Sequence, residues 1–209
     1  MSNFVKSAER ELSSEKTEAI LRGAMQEFIE HGYAGARIDK IVAAAGVSKA
    51  TVYRRFADKE TLFTALIQRM AEKVNFFEQQ DFPSSQEEPV VFLKRHAIKM
   101  LNCAADNPQD IALFRIVIGE SGRFPELGRA FIQNVEKPNL DFITQYFATH
   151  PKLQIADPEV AARMFIGTLL HIVTTRNLLH GADIIPIEGD RFIDSLLSLI
   201  IHPSKSVRL

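Results

Sequence analysis

Six cationic side chains are concentrated in residues 37–59, the segment RIDKIVAAAGVSKATVYRRFADK. The same segment holds only two acids, Asp39 and Asp58, which leaves a local charge of +4, whereas the whole chain is −1 at pH 7. Positive charge gathered in one short segment of a near-neutral protein is typical of a local site for a phosphate backbone. The bland alternative is a solvated cationic hairpin on the surface of an all-helical protein.

Two short helices joined by a turn would position these cations. The apolar spacing predicts a first helix over Ile38–Ala45, ended by Gly46, which adopts a left-handed conformation at low cost. Ser48 is expected to cap a second helix, in which Val52 and Phe56 are buried together. Their burial turns four side chains of the second helix outward, and the segment is therefore predicted to be a helix-turn-helix. The four outward side chains are Lys49, Ala50, Tyr53 and Arg54.

Residues 19–66, above all GYAGARIDKIVAAAGVSKATVYRRFADKETLF, resemble the DNA-binding domain of the tetracycline-repressor (TetR) family. Residues 46–53 (GVSKATVY), Phe56, Lys59-Glu60 and Leu62-Phe63 fall at the spacing of that family. The resemblance implies that the second helix of the motif enters the major groove, while a divergent C-terminal domain binds a small ligand and dimerises. The chain departs from the family at Arg37, because the family has Ser or Thr at the start of the first helix of the motif.

The side chains of the motif divide into two expected kinds of DNA contact. Base edges are expected to be read by Lys49, Ala50 and Arg54, because lysine can donate to guanine and alanine lets the helix approach a thymine methyl group. Phosphate contacts fix the register on DNA without reading its sequence. The candidates for phosphate contacts are Arg37, Thr51, Tyr53 and Lys59. The predicted partner is double-stranded DNA that carries an inverted-repeat operator.

The whole chain is predicted to be all-α, with about nine helices and no convincing strand. Residues 1–60 are predicted to form the helix-turn-helix DNA-binding domain, built from three helices, and residues 61–209 the helical ligand-binding and dimerisation domain. Residues 80–89 interrupt the helical periodicity most clearly, as a loop does. Pro138 predicts a kink or a local break in the long helix that follows Phe124-Pro125. Asp157-Pro158 predicts the start of a helix that ends at Gly181.

Two apolar helices near the C-terminus predict a homodimer. The segments AARMFIGTLLHIV and FIDSLLSLII carry apolar residues around more of the helix than one core stripe needs. A two-fold interface of four helices would use that surplus. The alternative is a central helix that is fully buried in a monomer. The expected dimerisation residues are Ala162, Phe165, Leu169, Ile172, Leu196 and Ile200.

Polar side chains set among apolar residues in the C-terminal helices predict a site for a small effector. Arg115 and His171 are the leading candidates, because a buried Arg or His must pair internally or face a cavity. Taken singly, each residue is more often a satisfied core or surface group than a ligand contact. Fifteen phenylalanines and no tryptophan favour a lipophilic or aromatic effector. The expected ligand contacts are Asn102, Phe114, Arg115, Ile118, His171 and Thr175.

Other classes of function find little support in the sequence. The segment GESGR at 119–123 lacks the final glycine and the preceding strand of a nucleophile elbow, and the six histidines show no metal-ligand spacing. No catalytic residue, cofactor or metal is therefore expected. The single Cys103 and the lack of an apolar run of ~18 residues favour a cytoplasmic protein that does not span a membrane.

The predicted function is a ligand-responsive DNA-binding transcriptional regulator, in the first place a homodimeric repressor that a small effector releases from its operator. Two alternatives from other classes stay open at this point. One is a helical ligand-binding or scaffold protein that lacks specific DNA recognition. The other is an all-α enzyme that works in the C-terminal cavity. Binding to DNA at two salt concentrations separates the regulator from the scaffold protein, and turnover of candidate substrates tests the enzyme.

Overall fold

The computed structural model describes residues 2–74 and 87–201, with side chains described within 14–73 and 87–201. These residues form ten α-helices and no strand, which confirms the predicted all-α fold; the number is nine when α7 and α8, joined by a π-helical turn, are counted as one. Most of the loop predicted at 80–89 lies outside the described residues. The helices are α1 Ser2–Gly35, α2 Ile38–Ala45, α3 Lys49–Arg55, α4 Lys59–Val74, α5 Pro89–Asp106, α6 Pro108–Glu120, α7 Pro125–Phe131, α8 Lys137–Thr149, α9 Pro158–Val173 and α10 Gly189–Ile201.

The chain packs as two compact units that are not contiguous in sequence. Unit 1 comprises Met1–Met70 and Ala112–Asn134, and unit 2 comprises Ala71–Ile111 and Val135–Leu209. These units describe packing, whereas the predicted division at residue 60 concerns function, and it stays a prediction. Among the described residues, no helix combines the length and the apolar character needed to cross a membrane.

Helices α1 to α4 form the N-terminal part of the core of unit 1, and residues 112–134 complete it. On α1, Ile20, Ala24 and Phe28 recur at four-residue spacing and are fully buried, as expected of one apolar stripe on a helix. Gly32 has φ 69° and ψ 176°, which interrupts the helical conformation near the end of α1. On α4, Leu62, Phe63, Leu66 and Met70 form the buried side.

The core of unit 2 is organised around α9, which packs against α5, α8 and α10. Because three helices surround it, most of its apolar residues are buried within a single chain. The six predicted dimerisation residues are all buried in this way: Ala162, Phe165, Leu169, Ile172, Leu196 and Ile200. This corrects the interpretation that their burial requires a second subunit, although a role for these helices in dimerisation stays a prediction.

Two π-helical turns interrupt the helices of the C-terminal half. The first, Ile132–Glu136, joins α7 to α8 directly before Pro138, and it takes the place of the predicted kink because proline cannot supply a backbone N–H. The side-chain amide of Asn134 donates to the carbonyl of Ala130 at 2.7 Å in this turn. The second turn, Thr174–Leu178, follows α9, so the regular helix ends before the predicted Gly181.

Candidate nucleic-acid interface

The turn between α2 and α3 has the predicted geometry. Helix α2 spans Ile38–Ala45, and Gly46 follows it with φ 63° and ψ 28°, in the left-handed region. The N–H of Gly46 donates to the carbonyl of Ala43 at 3.3 Å and thereby closes the end of α2. No described atom lies within 4 Å of the position of a Cβ on Gly46, so the backbone conformation, rather than crowding, selects glycine here.

Ser48 caps the N-terminus of α3, as predicted. Its hydroxyl accepts a hydrogen bond from the backbone N–H of Thr51 at 3.1 Å and lies 2.8 Å from the Thr51 hydroxyl. The cap satisfies one of the N–H groups that a helix start leaves without an internal partner. Thr51 is therefore part of the cap in the free protein, and its predicted phosphate contact stays untested.

Replacing Ser48 with alanine should lower the free energy of unfolding by about 1 kcal/mol, because an N-terminal N–H of α3 loses its acceptor. Urea denaturation of both proteins measures the difference. Ser198→Ala, at an exposed position within α10, is the matched control and should be neutral or slightly stabilising. Equal midpoints for Ser48→Ala and wild type would show that the cap contributes nothing.

The two sides of α3 differ as the sequence predicts. Val52 and Phe56 are buried on one side, and the fully buried Ile41 of α2 belongs to the same core. This fixes which side of α3 is exposed, because side chains four apart lie on one face of a helix. The exposed residues are the predicted outward set: Lys49, Ala50, Tyr53 and Arg54.

Lys49 and Asp39 form an exposed ion pair, with the Lys49 Nζ 2.8 Å from Asp39 Oδ1. The hydrogen bond and the charge attraction between them lower the pKa of Asp39 and raise the pKa of Lys49. Since ion pairs in water contribute little free energy, Lys49 can exchange this partner for a DNA acceptor at small cost. The Lys49 ammonium also lies 6.0 Å from the ring centroid of Tyr53. The base-reading candidate therefore starts from a defined position on the exposed side of α3.

Lys59 is engaged inside unit 1, and its predicted phosphate contact stays untested. Its ammonium donates to the carbonyls of Tyr33, Ala34 and Ala36 at 2.6, 3.3 and 3.4 Å. Burial lowers the pKa of Lys59, and the carboxylate of Glu120 opposes that shift. Since three acceptors match the three donors of an ammonium, its first role is to hold the backbone between α1 and α2.

Arg37 occupies the position before α2, where the family pattern has a hydroxyl. Its backbone is extended and its side chain makes no capping hydrogen bond to the described residues. The Arg37 N–H donates instead to Glu27 Oε1 at 3.0 Å, and the Glu27 side chain is buried on α1. The Arg37 side chain is exposed and stays a candidate for a phosphate contact. An acid beside the apolar stripe of α1 is the sequence signal that would have indicated this contact.

Arg55 is a further cation whose place the sequence did not predict. Its Nη1 donates to the hydroxyl of Thr17 on α1 at 2.7 Å. Of the six cations in residues 37–59, Arg55 and Lys59 therefore hold parts of unit 1 together. The remaining four are exposed on the surface of the motif: Arg37, Lys40, Lys49 and Arg54.

The six predicted effector contacts do not share one kind of environment in the chain. Phe114 is buried and its ring stacks on that of Phe131, with centroids 4.8 Å apart. Arg115, Ile118 and His171 are exposed. The argument that Arg115 and His171 are buried and must face a cavity is therefore wrong, because both side chains reach the surface. Their role as ligand contacts stays a prediction.

Thr175 and Asn102, the other two predicted effector contacts, are also near the surface. The Thr175 hydroxyl donates to the carbonyl of His171 at 2.9 Å, within its own helical segment. Asn102 is exposed on α5 and lines an open groove of about 580 Å³ together with Val90, Val91 and Ile98. Two cations of this groove are engaged in ion pairs, Lys94 with Asp194 at 2.7 Å and Arg95 with Glu87 at 2.6 Å.

The capped recognition helix, the left-handed glycine before it and the exposed cations define a helix-turn-helix protein of the DNA-binding class. Comparison with known families agrees. The profile of bacterial regulatory proteins of the tetR family matches residues 20–66, and the profile of the C-terminal domain of AefR-like transcriptional repressors matches residues 92–200. The chain belongs to the TetR family of transcriptional regulators, a family of regulators and not of enzymes, as the sequence predicted.

Similar proteins were found both by sequence and by structure. The repressor AcnR of Corynebacterium efficiens is 45% identical over 60 residues, which is 27% of this chain and 32% of the relative. The crystal structure of a TetR-family regulator from Mesorhizobium loti has a TM-score of 0.71 at 27% identity, covering 90% of this chain and 97% of that one. The structure of the flavonoid-responsive regulator FrrA has a TM-score of 0.70 at 30% identity, covering 89% and 95%.

The two kinds of similarity cover different parts of the chain. The chain spans about a third of the length of the AcnR repressors it matches, and the matched profile at 20–66 contains the helix-turn-helix. The structural similarity to FrrA extends through the C-terminal helices. The N-terminal domain is therefore related to known regulators by individual sequences, by its family profile and by its fold. The C-terminal domain is related to them by its family profile and by its fold.

Proposed function

We propose that this protein is a cytoplasmic, homodimeric transcriptional repressor that binds an inverted-repeat operator and is released from it by a small lipophilic or aromatic effector. The observation that carries the proposal is helix α3, which presents Lys49, Ala50, Tyr53 and Arg54 on one exposed side. A helix of this length, capped at its start and anchored by Val52, fits the major groove. The scaffold alternative is not favoured, because it gives no reason for this exposed set.

The proposed dimer uses the exposed sides of α9 and α10. Met164 of α9 and Leu199 of α10 are 54% and 71% exposed, although both are large apolar side chains. Gly167 of α9 is also exposed. No described atom lies within 4 Å of the position that a Cβ on Gly167 would take. Glycine inside a helix costs free energy relative to alanine, and a close approach by a partner helix explains its use. A two-fold dimer that binds one inverted repeat needs its two recognition helices about 34–36 Å apart, one turn of DNA.

The proposed effector class is supported by composition and by one relative. The chain has fifteen phenylalanines. The similar protein FrrA is a flavonoid-responsive regulator, and flavonoids are aromatic compounds. The candidate contacts stay the six proposed residues, of which Phe114 and Ile118 are apolar and Arg115 is cationic. An effector acts only through its different affinities for the two states of the repressor. Titration of selected operator complexes with flavonoids and fatty acids tests the class.

Selection of bound duplexes from a random pool is the experiment that tests the function. We expect an enriched inverted repeat whose half-sites are centred about one turn of DNA apart. Enrichment of a single half-site would contradict the dimeric operator. Binding of all duplexes with equal affinity would favour the scaffold alternative, in which the helix-turn-helix fold is kept without sequence recognition.

Replacing Lys49 or Arg54 with alanine should cost about 1–3 kcal/mol of binding free energy and relax the preference at one base pair, if that residue reads a base edge. Gel shifts with the selected operator and its single-base variants measure both effects. Lys40→Ala, which removes an exposed cation of α2, is the matched control and should weaken all sequences equally. The same uniform loss for Lys49→Ala, together with a shallower salt dependence, would make Lys49 a phosphate contact.

A further inference from the structure

The backbone that connects α1 to the helix-turn-helix passes through a tight turn at Gly32. Gly32 has φ 69°, in the region that favours glycine, and its carbonyl accepts the N–H of Ala36 at 3.2 Å. Helix α2 begins only two residues after Ala36. The conformation of this turn therefore determines the direction in which α2 and α3 leave α1.

The side chain of Glu120, the last residue of α6, binds the N–H groups of this turn. The Tyr33 N–H donates to Glu120 Oε1 at 2.6 Å, and the Ala34 N–H donates to Oε2 at 3.0 Å. Successive backbone N–H groups on one carboxylate form charge-assisted hydrogen bonds, which are stronger than those between neutral groups. A Cβ on Gly32 would lie 2.6 Å from Glu120 Oε1, so glycine also makes room for the carboxylate.

The carbonyl groups of the same turn accept hydrogen bonds from a cation. The Lys59 ammonium binds the carbonyls of Tyr33, Ala34 and Ala36, as described above. The N–H groups of the turn thus meet the carboxylate of α6, and its carbonyl groups meet the ammonium of α4. The Tyr33 ring is buried and contacts Phe63 and Phe124, with centroids 5.3 and 4.9 Å apart. Both charges and both rings hold the turn in one conformation.

Glu120 stands at a position that a helix does not favour for an acid. The C-terminus of a helix carries partial negative charge, so a carboxylate there is destabilising by about 0.3–1 kcal/mol. The hydrogen bonds to Tyr33 and Ala34 offset that cost, which gives a physical reason for an acid at this place. In α6 the acid is therefore explained by the turn it contacts and not by the helix that carries it.

We propose that Glu120 is a positioning residue for operator binding: its carboxylate holds the turn at 32–36 and so fixes the orientation of the helix-turn-helix on α1. The proposal rests on the proposed DNA-binding function. Glu120 makes no contact with DNA in this role. When its carboxylate is absent, the N–H groups of Tyr33 and Ala34 lose their charged acceptor, and α2 and α3 sample a wider range of orientations. Sequence-specific binding needs one orientation, whereas non-specific binding through phosphates tolerates several.

The test compares Glu120→Gln with Glu126→Gln in the full chain. Both changes remove one negative charge near Tyr33. Burial, and to a smaller extent Glu126, Glu120 and two other acids, raises the pKa of the Tyr33 hydroxyl to about 12. Only Glu120 binds the N–H groups of the turn. The probes are the duplex that the wild type selects from a random pool and a scrambled duplex of equal length. Relative to Glu126→Gln, we expect Glu120→Gln to bind the selected duplex about tenfold more weakly, as for the loss of one such hydrogen bond. The two variants should bind the scrambled duplex with the same affinity and the same salt dependence.

Amide hydrogen exchange of the free protein provides the second measurement. The Tyr33 and Ala34 amides should exchange at least about tenfold faster in Glu120→Gln than in Glu126→Gln. Glu120→Asp keeps the charge and should restore part of both effects. The positioning role is overturned if Glu120→Gln keeps the wild-type ratio of selected to scrambled affinity, if both affinities fall together as in an unfolded protein, or if Glu126→Gln shows the same loss. A wild type that selects no sequence overturns the proposed function itself and the positioning role with it.

Discussion

Leu169→Asp should unfold unit 2, whereas Met164→Asp should leave it folded and convert the proposed dimer to monomers. Leu169 is 0% exposed within a single chain, in the core formed by α5, α8, α9 and α10. A carboxylate there is buried without a partner, in addition to the lost apolar contacts. The cost of about 5 kcal/mol or more is comparable with the whole stability of a domain.

Met164 provides the matched comparison on the same helix. It is 54% exposed, so an aspartate at this position remains in water within one chain. Met164→Asp should therefore change the unfolding temperature of a single chain only a little. Sedimentation of the variant should show one chain in place of two. A folded dimer of Met164→Asp would exclude this side of α9 from the interface. A folded Leu169→Asp monomer would show that Leu169 lies at a subunit boundary after all.

The unfolding free energy of the wild type should fall relative to that of His96→Leu as the pH decreases from 6.5 to 4. His96 of α5 is buried among aromatic rings, with the centroids of Phe92 and Phe165 each 6.1 Å away. Burial lowers the pKa of His96 to about 4, and the nearby Lys99 and Arg95 act in the same direction, whereas a hydrogen bond with the Asn139 side chain acts against them. Between pH 6.5 and about 4 the unfolded state therefore binds a proton that the folded state does not.

The expected size follows from proton linkage. Each pH unit below 6.5 removes 1.36 kcal/mol, so the loss reaches about 3 kcal/mol near pH 4. Denaturation of both proteins at pH 7 and pH 4 measures it as a change in the difference between them, which cancels the acid effects of the carboxylates. His171→Leu, at an exposed position of α9, controls for the loss of a histidine. Parallel pH dependences of wild type and His96→Leu would show that burial does not hold this imidazole neutral.

The helix-turn-helix could be predicted from the sequence because its signals are local. Gly46 follows α2 directly, Ser48 lies three residues from the N–H that it caps, and Val52 and Phe56 are one helical turn apart. Each of these relations spans at most four residues, so spacing alone identifies them. The same holds for Asp58, whose carboxylate accepts the N–H of Thr61 at the start of α4.

The roles of Lys59 and Glu120 could not be predicted, because their partners are distant in sequence. Lys59 binds carbonyls at Tyr33 and Ala34, and Glu120 binds N–H groups of the same two residues from 87 and 86 positions away. A charged residue at a helix end gives no sign of such a partner. The motif predicts a phosphate contact for Lys59, which stays untested, and it gives no sign that the ammonium also binds the backbone of unit 1.

The C-terminal predictions depended on how many helices surround α9. Apolar residues around most of a helix are expected in a subunit interface and also in the centre of a single bundle. Phe165 and Leu169 are buried because α5, α8 and α10 pack around α9, which is the alternative that the pattern left open. Arg115 and His171 show the opposite error, since polar side chains between apolar neighbours along the chain lie on the exposed sides of their helices.

The π-helical turn at Ile132–Glu136 amounts to one additional residue within an otherwise continuous helix. One residue corresponds to a rotation of about 100° around a helix axis, so the side chains that follow it are out of phase with those that precede it. Deleting a single residue in 132–136 would change the phase of the buried face of α7 relative to that of α8, but it would leave the spacing of Ile143 and Phe147 within α8 unchanged. Among relatives of this protein, we therefore expect the apolar spacing along α8 to be kept even where this turn gains or loses one residue.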